Sequence, residues 1–220
     1  MKVSIIIPTI NEEESIGRVI DEIPKNLDAE IIVVDSNSTD RTVEIAKSKG
    51  ARVINEPRLG YGRAYKTGFE NATGEIVVAL DGDLTYPAYK IKEFVDELEK
   101  ENLDFITCDR LTKLEKGIMS TKHKFGNFVL NLFTRLLFGL KINDSQSGMW
   151  IFKKKILGQL KLISDEMAFS EELKIEAWRK GFKVKEIPIE YRVRKGEAKI
   201  LSWKHGIDNL TFLFKKFVAK

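Results

Sequence analysis

The chain alternates short, almost wholly apolar runs with longer stretches in which apolar residues recur every three or four positions. VSIIIP (3–8), EIIVVD (30–35), ARVIN (51–55), EIVVAL (75–80) and FITC (105–108) are of the first kind, the pattern of strands buried on both faces. Between them, NEEESIGRVIDEI opens on Asn11, a residue suited to cap a helix, with acids in the first turn. The stretch after Asp35 begins with Ser, Thr and Asp and ends at Gly50. Further helices are expected from about Gly62 to Asn71 and from about Ala88 to Lys100. Strand, helix, strand, helix in this order predicts an α/β fold, a mostly parallel central sheet with helices on both faces. In the second half, 149–154 and 183–194 read as strands and 170–181 as a helix closed by Gly181. No repeat or low-complexity linker interrupts the 220 residues, a length that suits one domain spanning 1–220.

Ligands of such sheets bind beyond the carboxyl ends of the strands. Segments 8–11, 35–40 and 81–83 fall there. The last reads Asp81-Gly82-Asp83, two carboxylates that repel each other by several kcal/mol unless a cation lies beside them. Gly82 lets a bulky anion approach without meeting a Cβ. A hard cation on one or two carboxylates, with positions left for phosphate oxygens, is how Mg²⁺ or Mn²⁺ serves nucleotide chemistry. D-G is also a common turn dipeptide, so the pair alone leaves a plain surface turn open.

Charge refines the picture by its location. A net +4 is too small to imply nucleic acid. Six Lys/Arg stand against Glu115 between Lys113 and Lys141, and five lysines against Asp208 between Lys199 and Lys220. Both stretches are also rich in Phe and Leu. GNFVLNLFTRLLFGL (126–140) is too short to span a bilayer, which takes about 20 apolar residues, and it carries Arg135. In the C-terminal stretch Trp203, Ile207, Leu210, Phe214 and Phe217 fall on one helical face with Lys204, His205, Lys215 and Lys216 at its margins. Segments 117–140 and 199–219 are therefore expected as membrane-interface helices, with packing on the sheet or on another subunit as the competing account. No transmembrane helix is expected. The single cysteine, Cys108, ends an apolar run and reads as a buried inert thiol in a reducing compartment. The amino terminus lacks a signal-peptide layout, so the expected location is cytoplasmic, peripheral on the cytoplasmic face of the membrane.

Five blocks in order, VSIIIPTINEEESI, IIVVDSNSTDRT, RLGYGRAYKTGFENATGEIVVALDGDLTYP, NDSQSGMWIFKK and GFKVKEIPIEYRVRKGEAKI, cover nearly the whole chain. Together they resemble the family 2 glycosyltransferases, and within them the dolichyl-phosphate mannose synthases and related polyprenyl-phosphate enzymes. The resemblance implies a GT-A fold, a GDP- or UDP-sugar donor, a divalent metal (Mg²⁺ or Mn²⁺), inversion at the anomeric carbon and a dolichyl or polyprenyl monophosphate acceptor. It places Pro8, Thr9, Asn11 and Glu12 in the nucleotide pocket, Asp35 at the base with Asn37 in the same loop, and Asp81, Gly82 and Asp83 at the ribose and metal-bound diphosphate. Where relatives often carry Gln this chain has Thr85, and Ser36 replaces a second acid. Arg194, in RKGEAK with Ala198 for the usual Ser, and Arg110 match acceptor-phosphate arginines. Lys124, or His123 beside it, falls near a third basic position. Asp144, Ser147 and Gly148 match a D-x-x-S-G block. A membrane-anchoring protein or a second copy of the chain are further expected partners.

Elementary chemistry supports the same division. Arg63 and Lys66, on the helix after LGYG, could add charge beside a departing diphosphate, or form a solvated helix face. A hydroxyl acceptor needs a base; a phosphate acceptor is already anionic and needs arginines to hold it. Asp81, Asp83 and Arg194 are thus the expected catalytic groups. The alternatives are a transferase acting on a saccharide hydroxyl, with Glu171 or Asp144 as base, and a non-catalytic nucleotide-sugar-binding subunit. In the main reading Glu171 and Glu172 close the site or pair with a cation.

Overall fold

The structure, a computed structural model, describes residues 2–196 and 202–219, without the side chains of 202–204. Ala198 and the side chains of Trp203 and Lys204 therefore lie outside the described residues.

Seven strands form one sheet: β1 (Val3–Thr9), β2 (Ala29–Asp35), β3 (Arg52–Asn55), β4 (Ile76–Ala79), β5 (Phe105–Asp109), β6 (Trp150–Lys153) and β7 (Val184–Pro188), in the order β3-β2-β1-β4-β6-β5-β7. All neighbouring pairs are parallel except the two made by β6, which runs antiparallel between β4 and β5. The sheet is mixed rather than uniformly parallel, as the apolar runs alone cannot reveal strand direction. The reversal has a functional consequence. Trp150, the first residue of β6, pairs with Ala79 and Thr107, so the loop entering β6 arrives at the edge where β4 and β5 end.

Side chains alternate between the two faces with the period of two that a strand imposes. Val3, Ile5 and Ile7 of β1, with Val33, Ile76, Val78 and Ile106, face α1 (Ile16–Glu22), α2 (Thr42–Ser48) and α4 (Ile91–Lys100). Ile6, Ile32, Val34, Val77 and Trp150 face α3 (Tyr61–Asn71) and α6 (Phe169–Arg179). α3 lies so close to β1 that a Cβ on Gly68 would stand 2.2 Å from Ile6 Cγ2. A third apolar layer forms outside α6, where Ile175 and Trp178 meet α5 (Thr121–Phe138) and α7 (Ser202–Val218). Cys108 is fully buried and burial pushes its thiol up, as an inert core residue requires.

Two expected boundaries move. Asn11 does not cap a helix: it adopts φ 49°, its Oδ1 accepts from Thr39 N at 2.8 Å, and α1 starts at Ile16. Competition from a side-chain bond to a neighbouring loop replaced the cap. β7 stops at Pro188 instead of running to 194. The chain beyond it is stitched to the end of β5 by Ile189 N to Asp109 O, and to the loop after β4 by Arg192 N to Thr85 O and Lys195 N to Asp83 O. This seam delivers Arg194 to the acidic pair.

Beside β3, Glu56 is buried and accepts from Arg58 Nε at 2.7 Å and from Thr67 on α3. These hydrogen bonds, the one from Arg58 foremost, hold its carboxyl at about 2, below its usual 4.5. A lowered carboxyl contributes stability that is full above about pH 4.5 and fades as pH falls toward 2. Because Arg58 is largely exposed, Glu56→Gln is expected to cost about 1–2 kcal/mol at neutral pH. Urea unfolding should show that deficit shrinking between pH 5 and pH 2; a constant deficit would contradict it.

Candidate active site

The ends of β1, β2, β4, β5 and β7 and the start of β6 converge on one rim of the sheet, as strand direction dictates. Asp81 and Asp83 follow β4, Arg110 follows β5, residues 144–148 precede β6 and Arg194 arrives on the seam after β7. Asp81, Asp83, Arg110 and Arg194 line one cleft of about 500 Å³.

Asp83 is nearly buried. Its Oδ1 accepts from Thr85 N at 3.1 Å and Thr85 Oγ1 at 2.6 Å, and its Oδ2 pairs with Arg194 Nη1 at 2.7 Å. Thr85 thus braces the carboxylate. The other amino group of Arg194 pairs with Glu12, so this arginine ties the acidic pair to the loop after β1. Asp81 accepts through Oδ1 from the hydroxyls of Tyr61 at 3.0 Å and Tyr65 at 3.1 Å. Burial, and then the charge of Asp83, push its carboxyl up to about 7. That excess of negative charge is what a cation would relieve. Among the described residues no three His, Cys, Asp or Glu side chains cluster as a metal cage. Asp81 and Asp83 with substrate oxygens match the sparse protein ligation of Mg²⁺ or Mn²⁺ in nucleotide sites, so the residues present fit the ion.

On the β1–β2 side, Thr9 Oγ1 donates to Asp35 Oδ1 at 3.1 Å and Ser38 N to Asp35 Oδ2 at 2.9 Å. Glu12 N donates to Thr42 Oγ1, and Asn37, at φ 58°, donates to Pro57 O. Pro8, Thr9, Asn11, Glu12, Asp35 and Asn37 therefore gather along two adjacent strand ends. Gly82 bridges to them, since its Cβ position lies 3.1 Å from Thr9 Cγ2.

Arg110 is a buried cation paired with a buried carboxylate. Its Nε and Nη2 meet Asp144 Oδ2 and Oδ1 at 2.7 and 2.9 Å, and its guanidinium lies 5.3 Å from the ring centre of Tyr191. Asp144 is fully buried and orients the arginine without lining the cleft.

Several sequence expectations change place. Ser147 is fully buried outside the cleft lining; its carbonyl, not its hydroxyl, is in use, by Trp150, Ser170 and Lys174. Lys124 is exposed and outside the lining, whereas Lys122 and His123 line the cleft: successive residues on a helix point about a quarter turn apart. Arg63 lies 3.6 Å from Glu56 and 3.4 Å from Glu70, and Lys66 lies 2.9 Å from Asp165. Neither lines the cleft. Glu171 is fully buried, bonded to Gln146, and pushed by burial up to about 8; it too lies outside the lining. Tyr61 and Tyr65 went unread as site residues, although their spacing of four on one helix was a signal that both reach the same point. Tyr86 joins them: its hydroxyl accepts from Gly148 N at 2.7 Å. A Cβ on Gly148 would stand 2.3 Å from the Tyr61 hydroxyl, so only glycine lets this loop pass.

The far wall of the cleft comes from α5 and α7: Phe125, Val129 and Leu130 opposite Ile207 and Leu210, with Met119 and Met167 nearby. The C-terminal apolar face proposed from spacing is split. Leu210, Leu213 and Phe217 pack inward, Ile207 is exposed at the cleft, and Phe214 and Val218 face out. On α5, Phe128, Leu132 and Leu136 also face out, while Phe125 is exposed at the cleft. Arg135 folds back, donating to Ile142 O at 2.7 Å. Among the described residues no helix is long and apolar enough to cross a membrane.

Known proteins are similar to this chain in sequence and in fold. The chain is 34% identical to the dolichyl-phosphate hexose transferase of Haloferax volcanii, over 90% of this chain and 86% of that protein. It is 33% identical to the low-salt glycan biosynthesis hexosyltransferase Agl6 of the same organism over 96% of its own length, but spans only about half of that protein, 52%. Its fold matches the crystal structure of glucosyl-3-phosphoglycerate synthase from Mycobacterium tuberculosis in complex with Mn²⁺, UDP-glucose and phosphoglyceric acid. The TM-score is 0.78 at 22% identity, covering 98% of this chain and 79% of that one, which establishes a GT-A-like α/β fold. Residues 4–161 match the family described as Glycosyl transferase family 2, and with these relatives the conclusion is that the chain belongs to that family.

Proposed function

We propose that the chain moves a sugar (mannose, glucose or N-acetylglucosamine) from a GDP- or UDP-sugar to a dolichyl or polyprenyl monophosphate, with inversion. One observation carries the reading: a single cleft joins the acidic pair and three arginines, Arg110, Arg192 and Arg194, to apolar walls from α5 and α7. An amphiphile with an anionic head and a hydrocarbon tail has that polarity. The name of the Haloferax relative, a dolichyl-phosphate hexose transferase, agrees with it.

In this mechanism Pro8, Thr9, Asn11, Glu12, Asp35 and Asn37 bind the nucleotide, and Asp81 and Asp83 would hold the divalent cation. That cation supplies positive charge to the departing diphosphate. Arg110, fixed by Asp144, and Arg194 hold the acceptor phosphate. Its oxygen forms the new bond to C1 as the bond from C1 to the nucleoside diphosphate breaks. No proton need be removed, so no base is required. The apolar walls exclude water from the reacting atoms. A saccharide hydroxyl acceptor is less well served by the apolar walls that α5 and α7 give the cleft.

The outward apolar stripes of α5 and α7 fit a lipid surface. Exposed Lys122, Lys124 and Lys215 flank them and α5 carries no acid, which suits anionic headgroups.

Incubating the purified chain with radiolabelled GDP-mannose, UDP-glucose or UDP-N-acetylglucosamine and dolichyl phosphate should move label into the organic phase only with Mg²⁺ or Mn²⁺. Absence of transfer from all three donors would remove the acceptor assignment. Donor hydrolysis without transfer would separate that outcome from a non-catalytic subunit.

A further inference from the structure

The loop of residues 142–148 does more than carry the partner of Arg110. On one side it is held by α5: Asn131 Oδ1 accepts from Ser145 N at 2.8 Å and Asn131 Nδ2 donates to Asn143 O at 2.6 Å. On the other, among the described residues, it hydrogen-bonds to α7 through the side chain of Gln146. Gln146 Oε1 accepts from Asn209 Nδ2 at 2.9 Å, its Nε2 donates to Glu171 Oε2 at 2.7 Å, and its backbone N donates to Asp144 Oδ1 at 3.1 Å. The same Asp144 oxygen receives Arg110 Nη2. Helix wall, glutamine, aspartate and acceptor arginine therefore form one connected hydrogen-bonded chain.

Among the described residues, the contacts along α7 are of two kinds. Near its C-terminus, buried Lys216 pairs with Glu172 at 2.7 Å and Glu176 at 3.0 Å and donates to Lys161 O, an anchor of several charged contacts. At the cleft end, Asn209 makes the neutral bond to Gln146, and both residues line the cleft. A neutral hydrogen bond contributes far less than a buried charged cluster. The cleft end is thus the end whose seating an occupant of the apolar cleft can alter, and Gln146 is the contact that carries its position to Arg110.

We propose that Gln146 is a positioning residue that couples seating of α7 against the acceptor's hydrocarbon chain to the placement of Arg110, so that the enzyme selects long-chain over short-chain phosphates. This rests on the polyprenyl-phosphate reading above. A solely structural glutamine would serve every acceptor alike, whereas a coupling glutamine matters only when the apolar cleft is filled.

The experiment compares the full chain with Gln146→Leu and Asn209→Ala, using dolichyl phosphate in detergent micelles and the two-isoprene citronellyl phosphate. Each variant is expected to raise KM for dolichyl phosphate about tenfold, with kcat changed less than about threefold and kcat/KM for citronellyl phosphate within about twofold. The double variant should be no worse than either single one, as for partners in one contact. Equal losses on both acceptors, additive losses, or an unchanged KM for dolichyl phosphate would overturn the coupling. If Gln146→Leu fails to fold, Asn209→Ala on the α7 side of the contact decides alone. Absent transfer by the unaltered chain would instead overturn the polyprenyl-phosphate reading, and this inference with it.

Discussion

Replacing Asp83 by alanine is expected to lower sugar transfer by about 10³-fold or more while leaving the protein folded. Two opposing effects keep the stability change small. Losing the carboxylate leaves Thr85 N and Oγ1 without their acceptor, which costs about 1–3 kcal/mol. Its loss also relieves repulsion on Asp81, whose carboxyl Asp83 helps to push up. Arg194 keeps Glu12 as a partner. Asp83→Asn separates charge from shape, because the amide oxygen can still accept from Thr85. If the carboxylate acts by holding a cation, both variants lose activity and both lose the stabilisation that Mn²⁺ with donor confers in a thermal-shift titration. Activity of Asp83→Asn within about tenfold of the unaltered enzyme would sink the assignment.

Asp144→Ala should be the most damaging substitution for stability. It strands the guanidinium of Arg110, itself nearly buried, and removes the acceptor for Arg110 N and Gln146 N. Breaking a buried pair from one side typically costs about 3–5 kcal/mol, which in a protein of this size lowers Tm by roughly 6–20 °C. Replacing both partners with apolar residues, Arg110→Met with Asp144→Leu, should recover most of that stability, since apolar substitutes of similar volume often match a buried ion pair. Acceptor use should stay lost in the double variant if Arg110 holds the acceptor phosphate as proposed. Calorimetry with the lipid transfer assay reads both halves. Recovery of transfer together with stability would show that the pair acts in the fold and not on the acceptor.

The candidate site was legible where chemistry is local in sequence. Asp81, Gly82 and Asp83 follow an apolar strand, and strand ends collect ligands in any such sheet, so their place at the rim followed from the pattern alone. Arg110 and Arg194 were readable through motifs, although 84 positions of sequence separate them. The helix faces were harder. The sequence leaves Arg63 and Lys66 between charges near a diphosphate and a solvated helix face, and in the fold Glu56, Glu70 and Asp165 engage them. Lys124 and Lys122 differ by two positions, and the helix phase that favours Lys122 is set by packing of Leu130, Asn131 and Thr134. Gln146 carried no signal, since its partners Glu171 and Asn209 lie 25 and 63 residues away.

By itself the sequence determined the α/β class, the rim on which the chemistry assembles, the acidic pair and the presence of two unusually apolar basic helices, because burial periodicity and local turn chemistry depend on neighbours along the chain. Tertiary structure alone decided the reversed direction of β6, the seam that brings Arg194 onto Asp83, and the division of α7 between an inward and an outward apolar face. Those outcomes depend on contacts between segments far apart in sequence, whose relative orientation no local pattern encodes.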